Sequence, residues 1–378
     1  SKQDEIFEGV SYLVQSAVDG FNVCIFAYGQ TGSGKTFTMY GKRDDQQLWG
    51  IAPRCMKELY EIIEREQETY EFKVTCYMLE LYNDQLVDLL PDRDKKGNVI
   101  GTPPKLDIKL DARGVVQVQG AVVRGPCQSF EELYKWNEYG NDQRHVASTA
   151  MNAESSRSHL VFSVVVEAKN RQTGAATVGK LTLVDLAGSE RQSKTNATGE
   201  RLKEAKSINI SLSALGNVIS ALSTGEKFVP YRDNLLTRLL QDGLGGNAKT
   251  LMFVNISPAD YNADETASSL TYAARVKLIT NDASKAQESA EVQRLKKVIA
   301  ALKRGVDPET AEAEAAKDDG AQPTQQSQLP QLSEEGPEDD KSTEDVDDSR
   351  WMEGPDFERE EIANAEKEAG LVEESADD

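Results

Sequence analysis

The chain has 378 residues, 38% of them apolar, and a formal net charge of −21. That length supports one large domain with extensions. No run of 18 apolar residues offers a membrane span, and the polar start Ser1-Lys2-Gln3-Asp4-Glu5 offers no signal-peptide core. The charge is segregated: residues 305–378 carry 26 acidic and 5 basic residues, so residues 1–304 balance at 38 of each. A neutral core with a phosphate-repelling tail gives little support to nucleic acid as a partner. Cys24, Cys55, Cys76 and Cys127 are far apart, which fits reduced core thiols in a cytoplasmic protein. Only two histidines are present, against a histidine-based metal centre.

In chain order, Val23–Tyr28 reads as an apolar strand. It feeds Gly29-Gln30-Thr31-Gly32-Ser33-Gly34-Lys35-Thr36, with the spacing G-x-x-x-x-G-K-T, and a helical stretch follows at Lys35–Met39. Helical periodicity marks Ala52–Thr69, Ser129–Tyr139, Gly199–Leu222, Leu235–Leu240 and Glu265–Thr280. Strand patterns mark Phe72–Leu81, Val115–Val123, His159–Glu167, Val178–Leu186 and Thr250–Ile256. Alternating strands and helices predict an α/β three-layer domain with a mostly parallel central sheet. Pro91–Pro104 and Gly243–Asn247 read as loops. Glu291–Arg304 is a short basic amphipathic helix, with Val292, Leu295, Val298, Ile299 and Leu302 on its apolar side and Arg294, Lys296, Lys297, Lys303 and Arg304 as the charged complement. From Gly305 the acidic composition predicts disorder. Trp351, Met352, Phe357 and Ile362 form an apolar island that predicts a helix on binding.

The glycine-rich loop implies a nucleoside triphosphate with Mg²⁺. Its backbone N–H groups cradle phosphate oxygens, and the following helix start favours anions. Gly29, Gly32 and Gly34 permit the backbone approach, Lys35 supplies charge to the outer phosphates, and Thr36 offers a hydroxyl to Mg²⁺. Two further segments complete a phosphate sensor. Asp185-Leu186-Ala187-Gly188 follows a strand; the Asp holds the metal shell through water and the Gly N–H bonds the γ-phosphate. Asn152-Ala153-Glu154-Ser155-Ser156-Arg157-Ser158-His159 is a hydroxyl cluster placed to close over Mg²⁺ and phosphate.

These three segments, with Ser207-Ile208-Asn209, Ser211–Gly216, Val229–Asp233 and Leu251–Pro258, resemble a kinesin motor domain across roughly residues 4–282. The resemblance implies an ATP hydrolase stimulated by microtubules, with ATP and Mg²⁺ bound along Gly29–Thr36, Phe37, Asn152 and Asp185. Thr36, Ser156 and Asp185 would hold the metal. Ser155 and Ser156 would also position the attacking water, and Gly188 would sense the γ-phosphate. Arg157 and Glu190 would form a salt bridge that closes with ATP, and Glu190 would join the proton relay. The helix around Glu204–Leu222 would lie on the filament, with Lys194, Arg201, Lys203, Lys206, Lys227, Arg232 and Arg238 as contacts to acidic tubulin. Such a protein is cytoplasmic and associated with the cytoskeleton.

Two departures stand out. Ile210 and Leu235 replace lysines of the family pattern, which predicts weaker and less salt-dependent filament binding. The family's first strand, with its Arg-x-Arg-Pro motif, has no counterpart before Asp4, which predicts exposed sheet and weak turnover by these residues alone. The chain reads as a motor domain over 1–282, a neck-like helix over 283–304 and an acidic tail over 305–378. No neck-linker-like stretch follows Tyr272–Val276. This layout resembles the C-terminal-motor, minus-end-directed class, and most of all the kinesin-like calmodulin-binding family, in which calcium–calmodulin captures the basic helix through an apolar groove. A brace on the motor core is the other use open to that helix. A nucleotide-gated microtubule binder with little motility is the alternative function. The phosphate loop is also shared with GTPase switches, but no Asn-Lys-x-Asp segment reads guanine. A coiled coil outside the chain would imply a dimer.

Overall fold

The computed structural model describes residues 2–94, 98–102, 104–151, 155–190, 200–283, 287–288 and 298, with backbone alone at 145–151, 155, 200–203 and 287–288. The chain divides into two units, Ser1–Gly320 and Ala321–Asp378, and the second lies outside the described residues.

Two helices open the described chain, α1 (Gln3–Glu8) and α2 (Ser11–Val18). The strand β1 (Asn22–Gly29) follows, and the glycine loop leads into α3 (Lys35–Met39). Next come α4 (Ile51–Glu66), β2 (Tyr70–Tyr82), β3 (Gln85–Asp88), β4 (Asp107–Leu110), β5 (Val116–Gln119) and α5 (Phe130–Met151). The remainder is β6 (Ser158–Asn170), β7 (Ala176–Asp185), α6 (Glu200–Thr224), α7 (Leu235–Leu239), β8 (Ala248–Asn255), α8 (Ala263–Val276) and β9 (Gln287–Glu288).

The central sheet runs β3-β2-β6-β7-β1-β8, and β4–β5 is a separate hairpin. The sheet is mixed rather than mostly parallel. Only β1 pairs in parallel, with β7 and β8, whereas β2–β3, β2–β6, β6–β7 and β7–β9 are antiparallel. The reason is connection length. Only five residues, 171–175, join β6 to β7, and a turn that short reverses direction, whereas a parallel neighbour needs a crossover of a dozen residues or more. The strand β9 pairs with Ala176 and Thr177, ahead of the Asn22–Lys180 pair where β1 begins. Thus an ordered element stands where the sequence pattern offered none. β8 is an edge strand of the described sheet, and seven of its eight residues are partly exposed.

Every residue of β1 is buried, which explains why its sequence is continuously apolar instead of alternating. Val23, Ile25 and Ala27 face a core built with α2, α4 and Leu133 of α5. Cys24, Phe26 and Tyr28 face a second core built with α6, α7 and the β4–β5 hairpin. All four cysteines are free and buried. Among the described residues no helix is long and apolar enough to cross a membrane.

Register brings the loops together. Asp185, the last residue of β7, lies opposite Ala27 of β1 on one side and Leu160 of β6 on the other. The loops that leave β1 and β7 therefore emerge beside the loop that enters β6, at one end of the sheet.

His159, beside this end, is 2% exposed. Burial, with the charges of Arg144 and Lys35, pushes its pKa from 6.5 down to about 3. The unfolded chain takes up a proton that the folded chain refuses, so acid favours unfolding. This contribution to stability is fully present above pH 6.5 and is lost as pH falls toward 3, by up to about 1.4 kcal/mol per pH unit. Urea midpoints measured from pH 7 to 4.5 should fall more steeply for the natural chain than for His159→Gln. Equal slopes would refute this origin of acid sensitivity.

Candidate functional site

The site starts from the backbone. Gly32 and Gly34 have φ of +79° and +94°, and Gly34 is the residue on which α3 begins. Such angles are strained for any side chain. At Gly29 a Cβ would collide with the Asn255 carbonyl of β8. Lys35 is 6% exposed, and its ammonium donates to the Gln30 carbonyl at 3.0 Å. Ser33 Oγ donates to the same carbonyl at 2.8 Å. Burial lowers the Lys35 pKa, and the Asp185 and Glu190 carboxylates act against that shift. The loop thus presents a desolvated ammonium whose carbonyl partner a phosphate can replace.

Thr36 Oγ1 donates to Asp185 Oδ2 at 2.8 Å, and Arg144 Nη1 reaches the same oxygen at 3.0 Å. Asp185 Oδ1 is buried and has no hydrogen-bond partner. A hydroxyl beside a carboxylate with one unused oxygen fits Mg²⁺, which takes few protein ligands and keeps waters and phosphate oxygens. Among the described residues, no group of three His, Cys, Asp or Glu forms an all-protein metal cage.

The second and third loops meet the first. Gly188 N–H donates to the Ser156 carbonyl at 2.8 Å, and Ser189 N–H to the Gly29 carbonyl at 3.0 Å. Glu190 accepts from Thr31 N at 2.7 Å and from Thr31 Oγ1 at 2.5 Å. All three motifs therefore touch. The Arg157–Glu190 bridge implied by the resemblance is not made in this structure. Arg157 Nη1 instead pairs with Glu204 Oε2 of α6 at 2.7 Å, and the Tyr82 hydroxyl donates to the same carboxylate. Glu204 is buried, and a buried carboxylate needs charged or hydrogen-bonding partners. The Gly188 amide, expected to be open toward phosphate, is likewise taken by Ser156.

Arg144 is the component the sequence did not flag. It is 3% exposed, donates through Nε to Ser158 Oγ and through Nη2 to the Ser158 carbonyl at 2.9 Å, and lies 3.8 Å from Glu80. It fixes Asp185 against β6. A single arginine in a helical run carries no motif, so only the fold reveals it. Glu204 and Tyr82 escaped for the same reason.

Of the expected filament contacts, Lys206, Lys227 and Arg232 are exposed. Arg238 is turned inward: its Nη2 donates to the Ile108 carbonyl at 2.6 Å, holding the β4–β5 hairpin, so it is a brace and not a free surface cation. Phe37 is 44% exposed beside the glycine loop. Asn152 and Lys194 lie outside the described residues, as do the side chains of Ser155, Arg201 and Lys203. So do Val292, Arg294, Leu295, Lys296, Lys297, Ile299, Leu302 and Lys303 of the basic helix and the whole acidic tail; Val298 alone is described, as a helical residue.

The kinesin motor domain family model matches residues 1–279. The chain belongs to the kinesin family. Kinesin-like protein KIN-14E of Arabidopsis thaliana is 55% identical over 300 residues, covering 79% of this chain and 23% of that protein. KIN-14I of Oryza sativa is 54% identical over 298 residues, covering 79% and 23%. Klp68D of Drosophila melanogaster is 46% identical, covering 77% and 37%. The chain thus spans about a quarter of the length of its plant relatives. A solved structure of a fast kinesin, described with implications for ATPase mechanism and interactions with microtubules, superposes with a TM-score of 0.68 at 40% identity, covering 76% of this chain and 79% of that one. The kinesin motor fold of this chain is therefore a P-loop-type domain with helices on both faces of a mixed sheet.

Gly188 tests the arrangement. A Cβ there would press on the Glu190 carboxylate and on Thr31 Oγ1. Gly188→Ala should therefore lower ATP turnover by about 100-fold, the scale of misplacing one catalytic group, while nucleoside diphosphate binding through Lys35 persists. Unchanged turnover would show that the Glu190–Thr31 contact is not part of the working site.

Proposed function

We propose that this chain is an ATP-driven microtubule motor of the C-terminal-motor class, minus-end directed and restrained by calcium–calmodulin through residues 291–304. The observation that carries the ATPase reading is the convergence of Lys35, the Thr36–Asp185 pair, the Gly188–Ser156 bond and the Glu190–Thr31 contacts at one end of the sheet. Phosphoryl transfer asks a protein mainly for positioning and charge stabilisation. Lys35 exchanges the Gln30 carbonyl for the outer phosphates. Thr36 and Asp185 would hold Mg²⁺, which supplies neutralisation of the phosphate charge. Gly188 N–H leaves the Ser156 carbonyl for the γ-phosphate, Ser155 and Ser156 orient the attacking water, and Glu190 leaves Thr31 to bridge to Arg157 and receive the proton.

That closing step explains the coupling to the filament. Arg157 is held by Glu204 of α6 here. Its move to Glu190 releases the charged grip on α6, so the presence of the γ-phosphate reaches a helix whose outer face carries Lys206 and Ile210. Minus-end direction is supported by the KIN-14 relatives. Calmodulin control is supported by the sequence pattern of the basic helix. The acidic tail, as a mimic of the tubulin surface or a repellent to it, would act as an inhibitor.

Ile210 supports the second reading, a nucleotide-gated binder with little motility. It is 50% exposed on α6, where the family pattern has lysine. ATP turnover measured with and without microtubules should rise on filament addition and fall again with calcium–calmodulin, and polarity-marked filaments should glide in the minus-end sense. Flat turnover with static filament binding would leave only the second reading. Ile210→Lys should tighten microtubule binding about two- to threefold at low salt, the scale of one exposed ion pair, and the gain should vanish at high salt.

A further inference from the structure

His159 makes bonds that the nucleotide chemistry does not use. The Ala187 N–H donates to its Nδ1 at 3.1 Å, which leaves Nδ1 unprotonated. The neutral ring therefore carries its hydrogen on Nε2, which lies 2.9 Å from Ser211 Oγ of α6. Ser211 in turn donates its own hydrogen to the Ile208 carbonyl at 2.8 Å. Every donor and acceptor in this chain of three is satisfied in one direction only, from the loop after β7, through β6, to α6. Ala187 immediately precedes Gly188, whose amide is the expected γ-phosphate sensor. Ser211 sits seven residues after Glu204, on the same face of α6, so α6 is gripped at two points two turns apart. A narrow cleft lined by Leu81, Arg157, His159, Ser207 and Ser211 runs beside the two grips. This stretch of α6 is thus held by discrete bonds in addition to the core packing of Leu212 and Leu215.

We propose that His159 is a positioning residue that couples α6 to the phosphate-sensing loop, through the bond series Ala187 N–H to Nδ1 and Nε2–H to Ser211. The Arg157–Glu204 pair must break when Arg157 moves. The His159–Ser211 bond has no such competitor, so it carries displacement of α6 to Ala187 and hence to the Gly188 amide. Filament contact on the outer face of α6 is thereby felt at the nucleotide, in both directions by linkage. The inference rests on the reading of α6 as the filament helix.

The test separates coupling from stability and from that reading. Ser211→Ala removes the acceptor on α6. His159→Asn keeps an acceptor in place of Nδ1 but falls short of Ser211. Both variants, the double variant and Ser211→Thr, which restores a hydroxyl, are compared with the natural chain for turnover without filaments, for maximal microtubule-stimulated turnover and for nucleotide affinity. Ser211→Ala and His159→Asn should each lower the ratio of stimulated to unstimulated turnover by about fivefold, the scale of one hydrogen bond. Nucleotide affinity should stay unchanged, Ser211→Thr should recover most of the ratio, and the double variant should lose no more than either single one. A natural ratio kept by Ser211→Ala, additive losses, or a proportional fall of both turnovers would overturn the coupling role while leaving the motor reading intact. A natural chain with no stimulation at all would overturn both.

Discussion

A charged carboxylate placed at the end of an interior strand is the constraint around which this site is built. Asp185 is 1% exposed, and a charge so desolvated is tolerated only with close partners. Arg144 and Thr36 supply them, from α5 and from the first turn of α3. Because the arginine also grips Ser158, satisfying one carboxylate locks the glycine loop, the end of β7 and the start of β6 to a common origin. The remaining Asp185 oxygen is left buried and unused, which is the free valence a metal site needs.

The neighbouring groups follow a different rule. Where Asp185 is fixed, Glu190, Arg157 and Gly188 hold the partners that the proposed mechanism exchanges. Glu190 rests on Thr31, Arg157 on Glu204, and the Gly188 amide on Ser156. In the proposed mechanism the Asp185 anchor stays in place while these pairs change partners, as a two-state switch requires. The charged grip on α6 through Glu204 makes that helix a participant in the exchange.

The fold was largely legible. The apolar run Val23–Tyr28, the glycine spacing and the long strands at β2, β6 and β7 follow from local pattern, and the phosphate loop was readable residue by residue. Strand direction was not, since alternation of strands and helices says little about a 13-residue strand doubling back through five residues. The helices α1 and α2, the full length of α5 and the short β9 also escaped, because each is defined by what it packs or pairs with. Among site residues, Lys35, Thr36, Asp185 and Gly188 were visible from spacing and Glu190 from the family resemblance, whereas Arg144, Glu204 and the partner of Arg157 were not.

What the sequence determined by itself is the chemistry: a phosphate cradle needs particular backbone freedom and particular donors at fixed intervals, and such short-range demands are written in consecutive residues. What only the tertiary structure decided is pairing. Whether Arg157 meets Glu190 or Glu204, whether Arg238 faces a filament or a hairpin, and which buried arginine answers Asp185 depend on register and burial across 41 to 130 residues of chain. Charges choose partners by distance and desolvation, and neither quantity exists until the sheet has formed.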